Sequence, residues 1–216
     1  METHDEWKPQ AVVLCAGDYP THALPLHLLR DARHVVCCDG ATAEYMQREG
    51  RLPWYAVGDG DSLPLPLREH LGPRFIHITE QETNDQTKAT RLLYEKGIRR
   101  VAYVGATGRR EDHTLGNISH LADYQQMGMD VRMYTDYGVF MTPCPFPDGS
   151  LQLQCTVCPG SQLSVFALGD GPIEAEGVKY PLPERLTAWW QGTLNEAVVP
   201  HLSFKARIPF LVYLAY

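Results

Sequence analysis

The chain has 216 residues, 44% apolar and 21% charged, a composition that supports a sizeable core and excludes a disordered protein. Its net charge is −7 and its basic residues cluster no further than the pairs Arg99-Arg100 and Arg109-Arg110, which argues against a DNA or RNA partner. Apolar stretches such as 208–216 fall short of the roughly 20 residues of a membrane-spanning helix, and the polar segment 1–10 is not expected to be a signal sequence.

In chain order, short apolar runs rich in Val and Ala occur at 11–16, 34–38, 55–58, 75–78, 100–104 and 130–134, alternating with segments of helical period. This is the pattern of a parallel sheet covered by helices. Two helices are predicted in detail: 85–96, with Ala89, Leu92 and Leu93 on its apolar face, and 112–127, with Leu115, Ile118, Leu121 and Ala122. Each has an aspartate at its start. Past Tyr137, prolines and glycines punctuate runs too short for helices, and the spacing predicts antiparallel strands at 151–156, 162–167, 188–191, 196–199 and 210–214. The expected fold is therefore α/β, with a Rossmann-like, mostly parallel N-terminal sheet (1–142) and a smaller C-terminal antiparallel β-sandwich (143–216), the boundary falling in the proline-rich stretch 143–150.

The six cysteines stand at 15, 37, 38, 144, 155 and 158, most of them in strand-like runs, and fit a reducing cytoplasm. Cys155 and Cys158 have the spacing of a zinc or redox half-site but lack a second pair, so they are expected to be strand residues beside the turn at Pro159-Gly160.

The chemistry is concentrated in acids at strand ends. Asp39 follows the run 34–38, Asp59 and Asp61 follow 55–58, and Asp85 opens a helix. In an open parallel sheet, ligands bind beyond the carboxyl ends of the strands, so these four are expected to meet in one crevice. Such a cluster repels itself unless a cation neutralises it, and hard oxygen ligands suit Mg²⁺ with substrate phosphates. Taken singly, each aspartate reads more readily as a turn residue or helix N-cap; it is four of them at the same predicted edge that point to a site.

Basic partners lie nearby in sequence. Lys88 sits three residues after Asp85, on nearly the same helix face, where it forms either a surface ion pair or a phosphate contact. The segment 105–113, Gly-Ala-Thr-Gly-Arg-Arg-Glu-Asp-His, links a strand to a helix and offers an anion site at the helix start, with Arg110 as a phosphate clamp; Asp112 serves there equally well as an N-cap. It lacks the lysine and spacing of a P-loop.

The blocks Asp39-Gly40-Ala41, 58–62, 84–88, 105–113 with Asn117, 177–182 and 192–196 resemble, in order and rough spacing, those of thiamine pyrophosphokinases, over almost the whole chain. The resemblance implies an α/β catalytic domain, a C-terminal β-sandwich, and a homodimer whose active sites lie between the α/β domain of one subunit and the sandwich of the other. It implies transfer of the pyrophosphoryl group of ATP to the thiamine hydroxyl, giving thiamine diphosphate and AMP. It places Asp39, Asp59, Asp61 and Asp85 on the Mg²⁺-ATP positions, with Asp59, Asp61 and Asp85 as candidates for the base. Lys88, Gly108, Arg110, Asp112 and His113 fall in the nucleotide-binding blocks, and Gln81 and Asn195 near thiamine. Two positions depart from the family pattern: Arg109 stands where a second glycine is usual, and Leu194 where a serine is common. The first either reshapes the turn or adds a phosphate contact; the second removes a hydroxyl from the thiamine side. Trp189 and Trp190 offer an aromatic face for the cationic thiazolium, although one of a strand pair would face the core. The alternatives are another Mg²⁺-nucleotide transferase or phosphohydrolase, and a catalytically silent nucleotide or vitamin sensor.

Overall fold

The computed structural model describes residues 7–216, so most of the polar N-terminal segment discussed above lies outside the described residues. By packing, the chain forms two compact units. The first is Pro9–His120 with Met133–Asp136; the second takes residues 7 and 8, Leu121–Arg132 and Tyr137–Tyr216.

In the first unit, β1 (Ala11–Leu14), β2 (Val35–Cys38), β3 (Tyr55–Gly58), β4 (Phe75–His77) and β5 (Arg100–Val104) form a parallel sheet. β1 pairs with β2 and β5, β2 with β3, and β3 with β4, giving the order β5-β1-β2-β3-β4. β1 and β2 are buried along their whole length, as a strand covered on both faces requires. The predicted strands are present with boundaries within two residues. The helices are α1 (Ala23–Asp31), α2 (Asp39–Glu49), α3 (Leu65–Leu71), α4 (Asp85–Glu95) and α5 (Glu111–Gln126), the last running on into residues of the second unit. After β4 the chain returns to the far side of β1 to make β5. The strand order thus reverses between β1 and β5, and a crevice opens at such a reversal, beyond the carboxyl ends of the strands.

α4 shows how the local sequence sets the helix. The Asn84 side chain accepts from the Thr87 N–H at 2.9 Å, Asp85 places a negative charge in the first turn, and Gly97 at φ +80° follows the last turn. Its inner face buries Gln86, Thr87, Lys88, Ala89, Thr90 and Leu93 against β1, β2 and β3.

β6 (Asp130–Tyr134) has residues in both units. The second unit is antiparallel. β7 (Gly138–Met141) pairs with β14 (Phe210–Ala215), β14 with β10 (Gln162–Ala167), and β10 with β12 (Asn195–Glu196). A second sheet has the order β11-β13-β9-β8, from β11 (Ile173–Glu176), β13 (His201–Ala206), β9 (Leu151–Thr156) and β8 (Cys144–Pro145). Burial alternates along β13, with Leu202, Phe204 and Ala206 in the core and His201, Ser203 and Lys205 outward. The predicted strand 188–191 is instead a 3₁₀ turn, Trp189–Gly192, because the Gln191 side chain accepts from the N–H groups of Thr187 and Ala188 at 2.8 and 3.0 Å and curls the chain. Of 196–199 only its first residue is in a strand, β12.

No helix among the described residues is long and apolar enough to cross a membrane. Cys155 is half-buried in β9, as expected, whereas Cys158 is exposed and lies past the end of that strand, beside the turn; neither is in a disulfide.

Candidate active site

The crevice predicted from the strand order is present as a cleft of about 430 Å³ within the first unit. Its wall comes from the end of β1 (Cys15, Ala16, Gly17), the end of β2 (Cys38, Gly40), the loop after β3 (Asp59, Ser62), the approach to α4 and its first turn (Gln81, Thr83 to Gln86, Lys88), and the loop from β5 into α5 (Ala106, Gly108 to Arg110, His113, Asn117). Each segment leaves the sheet at the same edge because the strands are parallel.

Gly58 ends β3 where two carboxylates converge. A methyl group at this position would stand 2.4 Å from Asp39 Cβ and 3.2 Å from Asp85 Oδ2, so the absence of a side chain is what lets both acids close on one strand end. Asp39, at the start of α2, is 2% exposed. Its Oδ2 accepts from the Ser62 N–H at 3.2 Å, while Oδ1 is buried with no partner among the described residues. Burial lifts this carboxyl above its ordinary value, opposed by the Ser62 and Gly60 N–H groups. Asp85 is likewise raised by burial and drawn down by Lys88, whose ammonium stands 3.4 Å from its Oδ1. The Lys88 side chain is only 3% exposed.

Asp59 lies in a wetter setting. The Gln81 amide donates to its Oδ2 at 2.9 Å and the Asp61 N–H to its Oδ1 at 3.1 Å, and these hold its carboxyl below the ordinary value. Asp61 itself is exposed and outside the cleft lining. Among the described residues, no three or more His, Cys, Asp or Glu side chains are grouped so as to hold a metal by themselves.

On the opposite wall, the turn after β5 is held by backbone contacts to the turn after β1. The Gly17 N–H donates to Gly105 O at 2.7 Å and the Asp18 N–H to Thr107 O at 2.9 Å. Gly108, at φ +81°, lies so close to Asp18 that a methyl group would meet its Oδ2 at 2.1 Å. Arg109 follows at φ +57°, one of two non-glycine residues in the left-handed region among those described; the other is Leu194. That conformation costs an L-residue about 1–2 kcal/mol. In return Arg109 donates one hydrogen bond, Nη1 to Ala16 O at 3.0 Å, worth about 1 kcal/mol. Its approaches to Asp18 (3.9 Å) and Glu44 (3.7 Å) are long and half-exposed, and add at most a few tenths of a kcal/mol. Arg110 reaches Asp112 at 2.6 Å on the surface, and Asp112, held below its ordinary value by that arginine, lies outside the lining. Asn117 braces the wall from α5, donating to Ala106 O at 2.8 Å and accepting from Asn84 at 3.0 Å.

The first unit thus brings Asp59, Asp85, Lys88, Gln81, Gly108, Arg110 and His113 to one cleft, with Asp39 just behind it. Asn195 belongs to the second unit, where it is 4% exposed and clamps Tyr180, donating to its carbonyl at 2.7 Å and accepting from its N–H at 3.0 Å. Trp189 meets Phe166 edge-on at 6.0 Å, and Trp190 is largely exposed. Sequence reasoning missed the turn Cys15-Ala16-Gly17 and Thr83 as part of the wall. The first was within reach, since β1 is central in any sheet of this order; Thr83 carried no signal.

Residues 26–133 match the family described as thiamin pyrophosphokinase, catalytic domain, and residues 146–213 match thiamin pyrophosphokinase, substrate-binding domain. The chain belongs to the thiamin pyrophosphokinase family. It is accordingly an ATP-dependent thiamine diphosphokinase, forming thiamine diphosphate from thiamine. Solved thiamin pyrophosphokinases share its fold at low identity. The Bacillus subtilis enzyme is 20% identical over 95% of this chain and 98% of its own, with a TM-score of 0.73. The Candida albicans enzyme is 17% identical over 96% and 89%, at 0.74, and the yeast enzyme 15% identical over 99% and 89%, at 0.72. Among curated proteins, none matches the sequence significantly.

Proposed function

We propose that the cleft of the first unit is where this thiamine pyrophosphokinase binds ATP, and where the pyrophosphoryl group passes to the thiamine hydroxyl. The observation that carries this reading is the meeting at Gly58: Asp39 and Asp85 close on one strand end, with the Lys88 ammonium buried beside them. That ammonium meets Asp85 at 3.4 Å, whose side chain is 30% exposed, and a polyphosphate in the cleft would add further anionic oxygens to it.

Attack of a hydroxyl on a phosphoryl group asks the protein mainly for placement and neutralisation of charge. Lys88 supplies a point charge to phosphate oxygens from the floor. Arg110, together with the loop 105–110 and the start of α5, presents donors from the opposite wall. Asp59 and Asp85 are the carboxylates on the wall that can take the hydroxyl proton. Asp61 acts through its N–H, which fixes Asp59.

Mg²⁺ fits the donors present: Asp39 Oδ1 is a hard oxygen buried without a donor, and Asp59 and Asp85 are carboxylates at the same edge. Two or three carboxylates without a closed protein cage suit an ion that brings its own waters and shares substrate phosphates. When bound, it neutralises charge on the phosphoryl oxygens.

The same proposal gives thiamine recognition to the second unit, in keeping with the substrate-binding description matched by 146–213, with Asn195 shaping the site through Tyr180. It also includes the homodimer implied by the resemblance and a cytoplasmic setting, supported by six cysteines that form no disulfide. The test is AMP release measured with and without thiamine and Mg²⁺. AMP is expected only when both are present, to vanish with excess chelator and to return with added Mg²⁺. Thiamine-independent phosphate release would instead favour a phosphohydrolase.

A further inference from the structure

The geometry points to Arg109 as an additional nucleotide-binding residue of this chain, a cationic contact to the polyphosphate of ATP from the rim of the cleft; this rests on the placement of ATP proposed above. Arg109 lines the cleft between Gly108 and Arg110 and holds the left-handed backbone that a side chain makes unfavourable. Strain of this kind persists where something else repays it, and the folded chain does little more than balance it. Of the five N–H donors of its guanidinium, one is used, on Ala16 O. Neither nearby carboxylate repays it either. Glu44 is already engaged by Arg48, at 2.8 Å, and Asp18 is 72% exposed and so largely solvated.

What remains is a fixed, half-exposed guanidinium with most of its donors unspent, on the wall opposite Lys88. A planar fork of donors suits phosphate oxygens, which it can grip two at a time. The Ala16 hydrogen bond ties the side chain to the turn after β1, and so limits the freedom it would lose on binding.

The experiment compares wild type with Arg109→Gly and Arg109→Lys. It measures thermal midpoint without ligand, dissociation constants for ATP and for inorganic tripolyphosphate, and KM for ATP and for thiamine. Arg109→Gly is expected to weaken ATP and tripolyphosphate about tenfold, the worth of one charge-assisted contact. Its ligand-free midpoint should be unchanged or higher, because glycine accepts the backbone. The loss should fall on KM for ATP rather than on KM for thiamine, and Arg109→Lys should recover part of it. If Arg109→Gly melts several degrees lower, or binds both anions within twofold of wild type, the side chain is a structural strap and the inference fails. Lys88→Ala separates the two levels of the argument. If it leaves ATP affinity intact, the placement of ATP in this cleft falls, and the role of Arg109 with it. If it weakens ATP while Arg109→Gly does not, only the role of Arg109 falls.

Discussion

Lys88→Met separates a binding lysine from a structural one. Methionine keeps the unbranched stem and removes the ammonium, which meets the Asp85 carboxylate at 3.4 Å on a side chain that is 3% exposed. At an effective dielectric constant of about 20, the gross attraction at that distance is roughly 5 kcal/mol. Removing an ammonium from water costs several kcal/mol in the opposite sense, so the net worth of the pair to folding is near zero. Breaking a buried pair is usually destabilising because the survivor is left alone, but the Asp85 side chain is 30% exposed and can be solvated through the cleft. The variant should therefore unfold in urea within about 1 kcal/mol of wild type. Its AMP release should nevertheless fall by about 10²–10³, the usual loss when one preorganised donor to a developing negative charge is removed. Equilibrium unfolding and the thiamine-dependent AMP assay, run on the same preparation, read both quantities. A loss of more than about 3 kcal/mol of stability would mean that Lys88 serves as half of a structural ion pair. Activity within tenfold of wild type would mean that it does not touch the phosphates.

Two further substitutions probe the backbone. Gly58→Ala places a methyl group 2.4 Å from Asp39 Cβ, and overpacking of this kind costs about 1–3 kcal/mol; with it, the two acids must part and AMP release should be lost. Gly50→Ala is its control. Gly50 has φ +64° and no neighbour near the added methyl, so it should lose about 1 kcal/mol with activity intact, and equal inactivation of both variants would refute the role given to the Gly58 strand end. Leu194→Gly should raise the melting midpoint by a few degrees, because Leu194 is 85% exposed at φ +59° and gives up strain of about 1 kcal/mol without losing packing. A lower midpoint would show that the leucine side chain is held by a contact in solution.

The parallel sheet was legible because burial on both faces writes a continuous apolar run, and runs such as Arg100–Val104 and Tyr55–Gly58 begin and end where the residue types change. The acids were legible for a related reason: once a strand end is known, the residue after it is at the sheet edge, and Asp39 and Asp59 follow directly. The second unit was harder. His201–Ala206 alternates strictly between outward and buried residues, so its pattern was present, but the predicted strands stopped short of it and resumed only at 210. The error at 188–191 had another source. Two adjacent tryptophans suggest a strand by propensity, whereas the chain is turned by a local hydrogen-bond acceptor, the Gln191 amide, which propensity does not register.

Residue type also cannot show where the backbone is asked to do something unfavourable. Arg109 and Leu194 stood out only as departures from a familiar pattern, with alternatives left open for the arginine. Their φ values, +57° and +59°, supply the physical content: both occupy positions where glycine would be free of strain, and both project from the fold, one at the cleft rim and one into solvent. At Gly58 the opposite holds, since any side chain there would push apart the two acids on which the proposed site depends. These three positions show stability and function drawing on the same backbone. Glycine is kept where groups must converge, and a side chain is tolerated in a left-handed turn where the fold at most balances its cost. For Arg109 the fold about balances that cost, so ATP should raise the melting midpoint of wild type by more than that of Arg109→Gly, whose ligand-free midpoint is equal or higher.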